Sequence, residues 1–155
     1  MRPGLAISLV IAGLAGQAAS AATAATFPVD DAGSLPWRAT AVMQWRTPGP
    51  NRQSGDIVDG AATVTLVLNT ARWVHRVGRI YMLLPDPPSG PVSVSWTTQG
   101  RLLPGSLVSG DRALVYAGPI TSNSISDTVD VSVHADGRRL TSEQDLHFQF
   151  EIDVE

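Results

Sequence analysis

LHFQFEIDVE, residues 146–155, alternates without a break. Leu146, Phe148, Phe150, Ile152 and Val154 fall on one side of an extended chain, and His147, Gln149, Glu151, Asp153 and Glu155 on the other. Side chains on a strand point to opposite faces in turn, so this pattern predicts a strand with one face on a core and one in water. Because it reaches the final residue, the expectation is a terminus tied into a sheet.

Working outward, the same period recurs. In ATVTLVLN, residues 62–69, Val64, Leu66 and Leu68 oppose Thr63, Thr65 and Val67. In PVSVSW, residues 91–96, Val92, Val94 and Trp96 face inward, as do Val129, Val131 and Val133 in TVDVSVHA, residues 128–135. Shorter apolar runs at 79–84 and 112–117 add two strands, and WRATAVMQWR, residues 37–46, adds a first one. Residues 71–77 could form a helical turn, since Trp73 and Val77 are four apart. Pro/Gly-rich breaks at 47–60 and 85–90, a polar loop at 121–127 and the Asp136-Gly137 turn signal separate these runs. A short helix at 141–146 is a weaker alternative. About seven strands with regular turn signals predict an all-β, immunoglobulin-like β-sandwich.

The first residues read differently. Arg2, an apolar run at 5–14 and a small-residue stretch at 15–25 have the layout of a secretory signal peptide, with Ala19-Ser20-Ala21 as a cleavage site and Ala22-Thr23-Ala24 as a later option. The apolar run is short for a membrane span. The expected organisation is a leader at 1–21, a flexible N-terminal arm at 22–36, and one β domain at 37–155 whose first strand is 37–46. No membrane span is expected after cleavage. The chain contains no cysteine, which excludes disulfide staples and thiolate metal sites. Its net charge is −3, its basic side chains are all Arg and they are dispersed, so no stripe suits a nucleic-acid backbone.

Motifs for chemistry are sparse. No serine sits in G-x-S-x-G, and the three histidines, His75, His134 and His147, have no zinc-ligand spacing. His134 and His147 lie on outward faces of two strands and would approach each other only if those strands were neighbours. Asp30, Asp31, Asp56 and Asp59 match no calcium-loop pattern. No catalytic residue, metal or cofactor is therefore expected. Trp96 reads as core, whereas Trp37, Trp45 and Trp73 read either as core or as a sugar-stacking surface.

Three segments carry a resemblance. TAVMQW at 40–45, PVSVSWTTQGRLL at 91–103 and LHFQFEIDVE at 146–155, behind a leader and without cysteines, are similar to pilin subunits of the alternate chaperone–usher class, the CS1-type or alpha fimbriae. This resemblance implies an incomplete immunoglobulin-like sandwich that is completed by a neighbour's N-terminal donor strand. Ala39, Ala41, Met43 and Trp45, or the opposite face with Thr40 and Val42, would then enter the next subunit. The acceptor groove, held first by a chaperone, would be lined by Val129, Val131 and Val133 and by Phe148, Phe150 and Ile152. The implied partners are other pilus subunits, a periplasmic chaperone and an outer-membrane usher, and the implied location is the periplasm and then a surface fimbrium. The arm is longer than in that class, the terminal strand is more acidic, and the Gly-Tyr turn often found before it is missing. Two other readings stay open: a self-contained periplasmic or surface module that binds glycan, and a small secreted hydrolase using His134 or His147.

Overall fold

The computed structural model describes residues 24–35, 41–46, 56–139 and 146–155. Among these are nine strands: β1 Ala25–Val29, β2 Gln44–Trp45, β3 Ile57–Asn69, β4 Val77–Leu83, β5 Val92–Thr98, β6 Gly105–Val108, β7 Arg112–Pro119, β8 Ser124–Asp136 and β9 Gln149–Val154. A single 3-10 turn, Ala71–Trp73, precedes β4. The strands form two antiparallel sheets, a four-stranded one in the order β1-β9-β4-β7 and a five-stranded one in the order β2-β3-β8-β5-β6. The sheets pack face to face as a β-sandwich.

The core follows the alternation. β3 and β8 pair along all 13 residues of β3, from Ile57 opposite Asp136 to Asn69 opposite Ser124. Val58, Leu66 and Leu68 of β3 and Ile125, Val129 and Val133 of β8 are buried. From the other sheet come Ile80, Met82, Val115, Phe150, Ile152 and Val154. Trp73 and Trp96 are both core, and the Trp96 indole N–H donates to the Leu103 carbonyl at 2.9 Å. A buried indole needs such a partner.

Two strands were not expected. β6 falls in a stretch that reads as loose from its sequence. β1 falls where a flexible arm was expected: Ala25, Phe27 and Val29 do alternate, but Pro28 interrupts the run. Proline demotes a strand pattern to an edge strand or to none, and here it is an edge. β3 and β8 also begin earlier than their apolar runs suggest, taking residues from both flanking loops. The region 71–77 holds the 3-10 turn and the start of β4. The weak helix proposed at 141–146 lies almost wholly outside the described residues.

Gly78 in β4 shows how closely the sheet is built. A Cβ there would lie 2.9 Å from Ile152 Cδ1 and 3.5 Å from the Asp153 carbonyl oxygen. Ile152 is fully buried. Gly78→Ala is therefore expected to destabilise the fold by about 1–3 kcal/mol through overpacking, measured by denaturant unfolding. An unchanged midpoint would mean that β4 and β9 slide apart freely.

Candidate functional site

The feature that sets this sandwich apart is the route of its N-terminal segment, which serves both sheets in turn. β1 pairs with β9 over five residue pairs, from Ala25 opposite Val154 to Val29 opposite Phe150. Residues 30–35 then cross to β3. Asn69 N–H donates to the Asp30 carbonyl at 2.8 Å, Val67 N–H to Ser34 Oγ at 2.9 Å, and Leu35 exchanges two backbone bonds with Thr65. Farther on, β2 pairs with the beginning of β3, with Gln44 opposite Asp59 and Trp45 opposite Val58. Within the described residues, the outer edge of β9 and the outer edge of β3 are covered by this segment alone.

β1 holds its place with modest means. Ala25, Phe27 and Val29 share the inward face, opposite Val154, Ile152 and Phe150. Only Val29 is buried; Phe27 remains 40% exposed and meets the Trp73 ring at a centroid distance of 6.2 Å. On the outer face Thr26 Oγ1 donates to Asp153 Oδ1 at 2.6 Å. Pro28 has no N–H to offer, so a further strand cannot pair in full along β1.

β2 is held by a different chemistry. Arg46 forms a bidentate pair with Asp59, at 2.8 and 2.9 Å, and Asp59 Oδ1 also meets His134 Nδ1 at 2.5 Å. The Arg46 hydrogen bonds, followed by that of His134, hold the Asp59 carboxyl down to about 2. Asp59 in turn raises the Arg46 guanidinium. A second network lies at the same end of the sheet. Arg138 reaches Asp56 at 2.7 Å and Asp136 at 3.0 Å, and its hydrogen bonds lower the Asp136 carboxyl. On the inner face, Met43 and Ala41 lie against Gly60 of β3, where a Cβ would collide with the Met43 sulfur. Gly60 is thus a notch for Met43, a role hidden in the sequence because the residue ends a Gly/Pro-rich stretch.

A depressed carboxyl contributes to stability above its ordinary value of 3.8, and that contribution is lost as pH falls through the folded value. The contribution of Asp59 to the β2–β3 pairing is therefore expected to be fully present above about pH 4 and to be lost as pH falls toward about 2. A carboxyl-carbon NMR titration of Asp59 checks this. A midpoint at the ordinary value would remove the bidentate pair from the account.

The residues singled out in the sequence fall as follows. Ala39 and Thr40 lie outside the described residues. Ala41 and Met43 face the domain and Val42 is 73% exposed, so the Ala41–Met43–Trp45 face is the inward one. Val129, Val131 and Val133 lie on β8, which has β3 on one side and β5 on the other. Phe150 and Ile152 lie on β9, between β1 and β4, and Phe148 packs against the same core just ahead of it. In this closed form the six side chains meet as one core shared by opposite sheets, with a partner strand on each side of β8 and of β9.

The residues considered for chemistry are spread out. His134 is on β8 of the five-stranded sheet, whereas the exposed His147 precedes β9 of the four-stranded one. His75 is exposed in a left-handed turn, with φ of 71°. Ser93 is the strand neighbour of His134, which lies opposite Asp59 on the other side. Ser93 nevertheless donates no hydrogen bond to His134 among the described residues. None of the described His, Asp and Glu side chains form a group of three suited to a metal ion. Of the tryptophans, Trp45 is 47% exposed, Trp73 and Trp96 are buried, and Trp37 lies outside the described residues. A shallow cleft of about 350 Å³ lies where the turn after β1 meets the end of β3, lined by Asp30, Val67, Asn69 and Asn123 among others.

One structural carboxylate escaped the sequence reading. Asp127, assigned there to a polar loop, points inward from β8 and is 6% exposed. Its two oxygens accept from Gln99 N–H at 3.1 Å and Leu102 N–H at 2.9 Å, clamping the β5–β6 connection. Continuing the period-2 pattern back from Val129 would have placed it inward, but an inward carboxylate reads as a break in an apolar stripe.

Comparison of the chain with protein families, with curated proteins and with solved structures finds no match.

Proposed function

We propose that this chain is a structural subunit of a surface fibre, exported behind a secretory leader and joined head to tail by exchange of its N-terminal segment. One observation carries the reading: within the described residues, the outer edge of β9 is covered only by β1, a strand from the opposite end of the sequence that buries a single side chain. Strand edges recruit strands, and backbone bonds with alternating side chains are a known basis for joining subunits. The contacts that close the molecule on itself would then join it to a neighbour. Such a contact pairs two different surfaces, and where its rotation does not close, a filament results.

The resemblance of residues 91–103 and 146–155 to alternate chaperone–usher pilins supports an assembling subunit; of residues 40–45, which the same resemblance would make the donor strand, Gln44 and Trp45 pair with β3 of their own chain. The resemblance suggests a periplasmic chaperone and an outer-membrane usher as assembly partners, and a fimbrium on the cell surface as the destination.

A second reading rests on Trp45, whose half-exposed ring would suit a sugar face in a self-contained module that binds glycan.

The test is the solution mass of the chain from Ala22, which contains every described residue, by light scattering after refolding at high concentration. A ladder of multiples is expected. A stable monomer at every concentration would overturn the fibre reading and leave the glycan reading to be tried on an array.

A further inference from the structure

We infer that residues 24–35, and not residues 41–46, are what a second copy of this chain supplies. This rests on the strand-exchange reading and divides its moving part in two.

The two halves of the N-terminal segment dock at opposite ends of β3. Residues 41–46 sit at its beginning, against Ile57, Val58, Asp59 and Gly60. They form a hairpin with β3, so their partners are their near neighbours in sequence; Arg46 and Asp59 are 13 residues apart. A short tether gives such a pairing a high effective concentration, which a strand arriving from another molecule must exceed. The bidentate Arg46–Asp59 pair and the fit of Met43 against Gly60 add to that hold.

Residues 24–35 have no such local partner. Thr26 and the Asp153 that receives its hydroxyl are 127 residues apart. Ser34 and the Val67 amide it satisfies are 33 apart. β1 leaves four of its five residues exposed, so little burial is lost when it changes owner. Every contact it makes in its own chain can be made with the same atoms of another copy. The closed and exchanged forms therefore differ mainly in tether and concentration.

The recognition surface is composite. The outer edge of β9 takes the backbone of residues 25–29, Asp153 takes Thr26, and Trp73 takes Phe27. The end of β3 takes Asp30, Ser34 and Leu35. Pro28 then limits the edge to one donor, because a third strand finds an N–H missing. β2 would remain on its own chain.

The natural absence of cysteine makes the test direct. Directly opposed residues on antiparallel strands have Cα separations of about 4.5–5.5 Å, inside the range a disulfide spans. Chains from Ala22 carrying Thr26→Cys are co-refolded with mass-tagged chains carrying Asp153→Cys, then oxidised. A parallel mixture combines Gln44→Cys with tagged Asp59→Cys chains. Placing Thr26→Cys and Asp153→Cys in one chain, whose monomer fraction should close an internal disulfide, confirms that the substitutions leave the fold intact.

Cross-chain disulfide is expected in the first mixture and only background in the second. Because Asp59→Cys removes the pair that holds β2, background in the second mixture is a stringent result. Cross-linking in the second mixture, alone or with the first, overturns the division and leaves the fibre reading standing. Cross-linking in neither overturns both. Cross-linking in the first mixture confined to closed dimers upholds the division and overturns the fibre.

Discussion

Deleting residues 1–35 is expected to convert the protein from a well-behaved species into one that aggregates, with its unfolding midpoint sharply lowered. The deletion removes β1 and the Leu35–Thr65 bridge together, and so uncovers the outer edge of β9 and the far end of β3. Loss of Val29 from the core costs about 2 kcal/mol on transfer grounds. The backbone hydrogen bonds of the β1–β9 ladder and the ring contact of Phe27 with Trp73 are lost as well. A net stability of about 5–15 kcal/mol is typical for a domain, so a loss of this size consumes much of it. The exposed β9 edge also carries no proline, and it invites pairing between molecules. Light scattering and thermal unfolding check the first part. Addition of a peptide spanning residues 24–35 in trans should restore solubility. A truncated chain that stays monomeric with an unchanged midpoint would mean that β1 rests on the sheet without supporting it.

Asp127→Ala is expected to destabilise the fold by about 2–4 kcal/mol, because a buried acceptor of two backbone N–H groups disappears. Leu102 N–H is left buried without a partner, whereas Gln99 N–H keeps its second acceptor, the Thr128 carbonyl, at 3.2 Å. Asp127→Asn is expected to recover only part of the loss, since the amide presents a donor where the second oxygen accepted. Gly100 lies so close that a Cβ there would stand 3.1 Å from Asp127 Oδ1. The clamp therefore also sets the shape of the turn beneath Trp96 and Leu102. Chemical denaturation measures the change, and near-UV dichroism reports Trp96. A loss smaller than that of an ordinary surface substitution would show that water replaces the carboxylate and that the turn holds itself.

The outlines of β3, β5, β8 and β9 were legible because side-chain alternation is a local property. Val64, Leu66 and Leu68 must share a face whatever the rest of the chain does. The same rule assigned Ile152 and Phe150 to a core, and both are buried. Legibility failed where a local signal was ambiguous. Pro28 masked β1, the Gly/Pro-rich run ending at Gly60 hid the first residues of β3, and inward Asp127 looked like loop. In each case a distant partner resolves the ambiguity: β9 for β1, Met43 for Gly60, and the amides of Gln99 and Leu102 for Asp127.

The candidate site divides along the same line. From the residues alone, the 37–46 stretch could present either face, and its pairing partner was open. The described part turns Ala41, Met43 and Trp45 toward β3 and Val42 to water. The sequence by itself determined a cysteine-free β protein, the positions of most of its strands, and which side of each strand is apolar. Only the tertiary structure decided that β9 lies between β1 and β4, that β8 and β9 belong to different sheets and share one core, and that one N-terminal segment closes two edges. The reason is physical. Facing is written in side chains, which differ at each position, whereas pairing is made by backbone N–H and C=O groups, which are the same at nearly every residue and acquire an address only when the whole chain is packed.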